Sequence, residues 1–404
     1  MTEVDSLKER NRNSLRFRGN LSVIAVSTTF KSFGGGLINS YISLYFVELG
    51  GSPISFGLMA ALASLTGCIM FLVGGLIADY YGRTRIMFIA AFYGAFSALL
   101  FAVIKDWRLF VMLYVVATFA SISGPASLAT VADSISPEKR ATGIASLQVI
   151  SSLPVTAAPL IGGWIMNEYG LLDGFRLACI FTSVFSLLSA LVLFYFLRET
   201  WVKSKKDKLR DYFKLPHQLS SSLKGLIFSY ALVAFANGAV ASYYLLYASK
   251  VIGLTPLQWA PIASTQFLVT LLKIPGARVS DKIGKRTIMI FSLLACAPCA
   301  ILFTVSRSFL QALIAIFFVT ATGIFYSPAY EALQADLTPK VTRGRISALW
   351  QLTTSLSTMP GTLAGGFLFE VVDPALPFYM FSIAEIIAAV FLVSFVREPT
   401  KREQ

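Results

Sequence analysis

The sequence predicts an all-α membrane protein with twelve transmembrane helices in two pseudo-symmetric six-helix bundles. Three observations carry that reading. The 404 residues are 56% hydrophobic and only 14% charged, with a mean hydropathy of +0.70, whereas soluble domains carry about 25% charge. Apolar stretches of roughly 20 residues or more, enough to cross a bilayer, recur along the chain. The chain also repeats itself at half its length: Gly74–Arg85 (GGLIADYYGRTR) returns 202 residues later as Gly276–Thr287 (GARVSDKIGKRT).

In order, the spans are expected near 20–48, 53–78, 85–104, 108–133, 141–167 and 173–197, then near 224–250, 256–280, 287–305, 308–335, 344–371 and 376–396. The first bundle is then 1–197, the second 224–404, and 198–223 a linker on the cytoplasmic side. A polar, basic start followed by a long first span argues against a cleaved signal sequence.

The net charge of +13 would by itself admit nucleic acid as a partner. Its placement argues otherwise. Basic residues crowd the N-terminal segment (Arg10, Arg12, Arg16, Arg18), the linker, and the short loops holding Arg83, Arg85, Lys139, Arg140, Lys282, Lys285, Arg286, Lys340, Arg343 and Arg345. The alternate loops hold only Lys105, Arg108, Arg176, Lys250 and Arg307. By the positive-inside rule both termini are cytoplasmic, and the expected address is the plasma or inner membrane. The linker run 203–216 (KSKKDKLRDYFKLP) interleaves basic and apolar residues. It reads either as a helix lying on an anionic inner leaflet or as a solvated linker.

Cys68, Cys179, Cys296 and Cys299 all fall in apolar spans and read as packing residues. Cys296 and Cys299 form a CxxC without the basic neighbour or helix N-terminus that would activate a thiol. The single histidine, His217, is in the linker, which leaves carboxylates to carry protons within the membrane. No metal or cofactor is expected.

The repeat extends beyond the opening hairpin. Ser40–Tyr45 (SYISLY) matches Ser242–Tyr247 (SYYLLY), and Asp133–Arg140 (DSISPEKR) matches Asp336–Arg343 (DLTPKVTR). Gln148 matches Gln351, Pro159–Gly163 (PLIGG) matches Thr362–Gly366 (TLAGG), and the spans end in Arg198-Glu199-Thr200 and Arg397-Glu398-Pro399-Thr400. Two copies of six spans in the same orientation place a binding site near midplane between halves.

On these residues the chain resembles the major facilitator superfamily over essentially its whole length. The family signature GxLxDRxGRR is met at Gly75, Asp79, Gly82 and Arg83, with Ile77 at the leucine position and departures at Tyr80 and Thr84. The second copy has Asp281, Gly284, Lys285 and Arg286, with Ala277 for the leading glycine. The resemblance implies a cytoplasmic gate. Asp79 would cap the start of span 11 near Gly344–Ile346, and Asp281 the start of span 5 near Ala141–Gly143. Arg83 and Lys285 would pair with Asp133 and Asp336, with Arg140 and Arg343 close by. Such contacts break when the protein opens inward. The plainer reading is that these charges only set topology.

Ionisable groups at membrane depth point to function. Lys31 lies ~16 Å into span 1 and Glu331 ~12 Å into span 10, by helical rise. The resemblance places spans 1, 4, 7 and 10 around the cavity, so these two are the first candidates for substrate contact and proton coupling. Glu385 in span 12 reads as a structural group, and Lys273 in span 8 is undecided. Asn39, Tyr41, Asn237, Tyr243, Gln148, Gln266, Tyr326, Tyr330 and Gln351 are candidate cavity walls, suiting an amphipathic organic substrate, although some tyrosines could instead belong to the interfacial belt. Ala158–Gly163 (APLIGG) is similar to the GPxxGG motif of drug–proton antiporters. Pro159, Gly162 and Gly163 would otherwise be a packing kink. Span 4 lacks the arginine such antiporters often carry, since Tyr114–Ser127 holds no basic residue, and span 1 offers a lysine where several use a carboxylate.

The expected function is therefore secondary transport by alternating access, not enzymatic chemistry. The chain would act as a monomeric, proton-coupled exporter of a small amphipathic compound. The alternative is a symporter or facilitator taking up a sugar, organic anion or other metabolite. A receptor or scaffold without transport is disfavoured because both copies keep the gate aspartate and glycine, and no ATP-binding loop appears.

Overall fold

Local chemistry sets where the helices begin and end. The computed structural model describes residues 19–135, 147, 151, 154–200, 220–270, 279, 283–338 and 343–398. Helix α1 is Asn20–Asn39, continued after a turn by Ile42–Glu48. Helix α2 (Pro53–Tyr81) opens with a capping box, the Ser52 hydroxyl accepting from the Ser55 amide at 3.2 Å, and with proline in its first turn. It ends at Gly82, whose φ of 92° only glycine adopts readily, and α3 (Arg83–Val103) starts at once. Helix α4 runs Trp107–Ala117, tightens to a 3₁₀ turn over Thr118–Ser123, and resumes as Gly124–Asp133, where Pro125 can donate no amide. Of α5, the far part Ala158–Tyr169 is described, preceded by a 3₁₀ turn at Pro154–Thr156. Helix α6 is Leu171–Phe196.

The second half repeats this plan. Helix α7 is Ser221–Ala241, capped by Ser220 and continued by Tyr244–Tyr247 and a π turn at Ala248–Ile252. Then come α8 (Pro256–Thr270), α9 (Lys285–Thr304) and α10 (Phe309–Leu337), followed by α11 (Arg343–Phe367, with a π turn at Leu368–Val372) and α12 (Leu376–Phe395). The breaks in α1 and α7 fall on the repeated Ser-Tyr pair: the Tyr41 amide turns back to the Ile38 carbonyl, and Tyr243 to Val240, both at 2.9 Å. Hydropathy marks each span as one run and is blind to this turn.

Antiparallel alternation gives the molecule two faces. The start of α1 and the end of α12 lie on the terminal face, and the turns at 50–52, 170, 253–255 and 373–375 on the far face. Within the halves, α6 packs on α1 and α3 as α12 packs on α7 and α9. Equivalent hydrogen bonds repeat as well. Ser27 bonds to Ser189 at 2.7 Å between α1 and α6, and Ser229 donates to the Ala388 carbonyl at 3.0 Å between α7 and α12. Between halves the main pairings are α2 with α11 and α5 with α8. Large apolar side chains such as Phe291, Phe194, Val103 and Val390 stay exposed around the outside. That surface needs lipid around it. Among the described residues, nine helices are long and apolar enough to cross a membrane.

Candidate functional site

On the terminal face the two motif copies make matching contacts. The Arg83 guanidinium pairs with Asp133 at the end of α4, and the Lys285 ammonium with Asp336 near the end of α10. A carboxylate from the last helix of each half covers the start of the motif helix. Glu199 accepts the Arg83 amide at 3.3 Å and the Thr84 amide at 3.1 Å, while Glu398 accepts the Lys285 amide at 2.8 Å. The unpaired amides and positive dipole ends of α3 and α9 thus each face an acid. Sequence reasoning left Glu199 and Glu398 out of the site. The signal was the acid following the arginine at the end of both halves.

The side chains of Asp79 and Arg343 lie outside the described residues, as do Arg140 and Asp281. At the hairpin's leading glycines the structure makes a distinction. A Cβ on Gly75 would stand 3.8 Å from Pro125, an ordinary contact, whereas one on Gly74 would run into the Ile122 carbonyl of α4. Gly74 is therefore the close-approach position. The second copy keeps a glycine there, Gly276, and has Ala277 only where the first copy has room.

Towards the far face two of the candidate tyrosines are packed between helices. Tyr41 and Tyr243 are both 0% exposed. Tyr41 donates its hydroxyl to the Pro159 carbonyl at 2.6 Å, and Tyr243 to the equivalent Thr362 carbonyl at 3.0 Å. Each ring lies on a glycine pair. A Cβ on Gly163 would come within 2.6 Å of the Tyr41 hydroxyl, and one on Gly366 within 2.7 Å of the Tyr243 hydroxyl. A buried phenol needs an acceptor, and a helix carbonyl reached over a glycine pair supplies it. Pro159 lies in the first turn of the far part of α5, just after its 3₁₀ turn. Tyr330 is likewise buried, stacked on Tyr230 with centroids 4.4 Å apart and edge-on to Trp350. Tyr326 is buried inside the second half.

The same face joins the halves. The Glu370 carboxylate accepts the Ile54 amide at 2.7 Å, and the Tyr243 hydroxyl lies 3.3 Å from the Pro53 carbonyl. Gly57 and Gly163 allow the backbones to close in, since a Cβ would stand 2.6 Å from the Thr362 carbonyl and 2.8 Å from the Pro256 carbonyl.

The other candidates remain accessible. Lys31, Asn39, Asn237 and Glu331 are exposed and Gln351 is half-buried, while Gln148, Lys273 and the Gln266 side chain lie outside the described residues. Asn237 donates to the Val233 carbonyl of its own helix at 2.9 Å, and Glu331 accepts from Ser327 at 3.4 Å. Among the described residues Lys31 and Glu331 form no ion pair, and no cluster of His, Cys, Asp and Glu could hold a metal ion.

A sequence profile described as Major Facilitator Superfamily matches residues 24–270 and again 226–404. The chain belongs to the major facilitator superfamily. As a member it is a multi-pass membrane transporter; the first match runs from α1 through α8 and the second covers the second half. An MFS-type transporter of Methanocaldococcus jannaschii, MJ1560, is 22% identical over 94% of this chain and 98% of its own length. The multidrug resistance protein MdtG of Proteus mirabilis is 24% identical over 90% of this chain and 91% of its own. The xylose transporter XylE of E. coli, in a partially occluded inward-open conformation, superimposes with a TM-score of 0.75 at 16% identity. That alignment covers 95% of this chain and 99% of XylE, and shows the shared superfamily fold.

Proposed function

We propose that this transporter exports small amphipathic organic compounds in exchange for protons, through a cavity between its two six-helix halves. The single observation behind the reading is that Lys31 and Glu331, deep in α1 and α10, are exposed. A charge facing lipid at that depth costs several kcal/mol, so exposed ionisable groups there argue for a wet cavity. In this reading Glu331 carries the coupled proton, and Lys31, Asn39, Asn237 and Gln351 contact the substrate. The far face is extracellular and closed by Glu370, Tyr243 and the glycine approaches. The terminal face is cytoplasmic and gated by the Arg83–Asp133 and Lys285–Asp336 pairs with their capping glutamates. Likeness to a multidrug resistance protein over nearly the full length supports export.

The cationic Lys31 favours a second reading, uptake of an anionic metabolite. One experiment separates the two. In proteoliposomes with an acidic lumen and a trapped pH dye, addition of hydrophobic drugs should discharge the gradient, and Glu331→Gln should abolish the discharge. Drug-independent gradients together with counterflow of an organic anion would overturn the exporter in favour of the alternative.

A further inference from the structure

In the second half a cavity of about 450 Å³ is bounded by α7 and its continuation, α9, α10 and α12. Its wall includes Glu385, Tyr244, Tyr326, Ser292, Cys296 and Asn237. Glu385 is only 3% exposed, and among the described residues no cation pairs with it. Three further polar groups around the cavity, the hydroxyls of Tyr244, Tyr326 and Ser292, are buried without a hydrogen-bond partner among the described residues. The sequence treats Glu385 as a structural group. Among the described residues no cationic partner for such a role is present.

A carboxylate left unpaired in an apolar bundle is costly, and so is each unsatisfied hydroxyl. Four such groups on one cavity wall describe a site built for a ligand. The chemistry of the wall selects the ligand. One carboxylate with hydroxyls and a thiol is too poor in oxygen donors for a hard metal ion. A bare proton needs no such volume, whereas cavities above about 300 Å³ suit small organic molecules. Tyr244 and Tyr326 offer aromatic faces and phenolic oxygens, which favour an ammonium group. Among the described residues the titratable groups facing Glu385 are Tyr244 from the continuation of α7, Cys296 from α9 and Tyr326 from α10, and no lysine or arginine lines the cavity. Helix α11, which also packs on α12, adds none to the wall.

We infer that this cavity binds a small organic cation, a protonated amine or quaternary ammonium, with Glu385 as its counter-ion and Tyr244, Tyr326 and Ser292 as its polar contacts. Every described wall residue comes from the second half, and Asn237 is shared with the substrate contacts proposed above, so Glu385 rather than Glu331 is what distinguishes this site. The inference is independent of transport direction and of the role assigned to Glu331.

The test uses the purified full chain, with benzylamine as the probe and benzyl alcohol and benzoate as its neutral and anionic isosteres. Calorimetry should show benzylamine binding and neither isostere. Glu385→Gln, which keeps the shape and removes the charge, should weaken it about thirtyfold or more, as for removal of one partner of a buried charge pair. Glu331→Gln should leave it unchanged. Where Glu385→Gln does not fold, the unaltered protein decides: benzylamine should slow alkylation of Cys296 by N-ethylmaleimide, read by peptide mass spectrometry, and benzoate should not. The inference is overturned by no benzylamine binding, by undiminished affinity in Glu385→Gln, or by an unprotected Cys296. Loss of binding in Glu331→Gln alone would move the amine to the cavity between halves, removing this site and leaving the proposed exporter intact.

Discussion

The carboxylate of Glu370, at the end of α11, accepts the Ile54 amide in the first turn of α2, 2.7 Å away in the other half. One half therefore caps a helix of its partner half, and the bond must break whenever the far face opens. A cap is worth about 1 kcal/mol, so Glu370→Ala should move the balance between closed and open far faces about fivefold toward open. Spin labels at Lys105→Cys and Arg307→Cys, in a background with the native cysteines replaced, report that balance. An unchanged distance distribution in Glu370→Ala would remove the cap from the gate.

The ion pair of Arg83 with Asp133 and its counterpart Lys285–Asp336 separate stability from transport. Asp133 is 46% exposed and Arg83 17%, so the first pair is partly in solvent. Pairs of that kind stabilise a fold by about 1 kcal/mol or less. Arg83→Ala should accordingly leave the melting temperature of the purified protein almost unchanged while substrate flux falls. Exchanging the charges, Arg83→Asp with Asp133→Arg, should restore part of the flux. Full flux in Arg83→Ala would reduce the pair to a topology signal.

Much of this architecture is legible in the sequence, because hydropathy and basic loops follow directly from the membrane as solvent. The repeat also carries contact information: Ser27 and Ser229, Tyr41 and Tyr243, and Glu199 and Glu398 are sequence equivalents that make equivalent bonds. What hydropathy does not carry is direction around a helix. Tyr41 and Asn39 sit two residues apart, yet one is fully buried against α5 and the other exposed. The turn after Asn39 decides between them, and nothing in residue type reveals it. Glu385 shows the same limit. Its depth was plain, but the cavity beside it arises from four helices distant in sequence.

Gly74 and Gly75 offer a test of packing against motif matching. The family pattern falls on Gly75, and the close approach falls on Gly74. Gly74→Ala forces a methyl group into the Ile122 carbonyl and should cost about 1–3 kcal/mol, as overpacking does. Gly75→Ala has space and should be tolerated, as Ala277 is in the second copy. Thermal unfolding of the two variants in detergent gives the order. A Gly75→Ala protein less stable than Gly74→Ala would show that the hairpin glycine serves something other than helix contact.

Tyr41 and Tyr243 make the last prediction, because both are buried with their hydroxyls bonded to carbonyls of α5 and α11. Removing the hydroxyl leaves the Pro159 or Thr362 carbonyl without that bond in an apolar setting. Tyr41→Phe and Tyr243→Phe should each destabilise the protein by about 1–3 kcal/mol. Ligand affinity should be unaltered in Tyr41→Phe, whose hydroxyl among the described residues bonds within its own half. In Tyr243→Phe the hydroxyl near Pro53 is lost as well, so the far face should open more readily, read with the same pair of spin labels. The asymmetry between two sequence-equivalent tyrosines is the deciding feature. A selective loss of substrate affinity in Tyr41→Phe, at unchanged stability, would return that residue to the cavity wall.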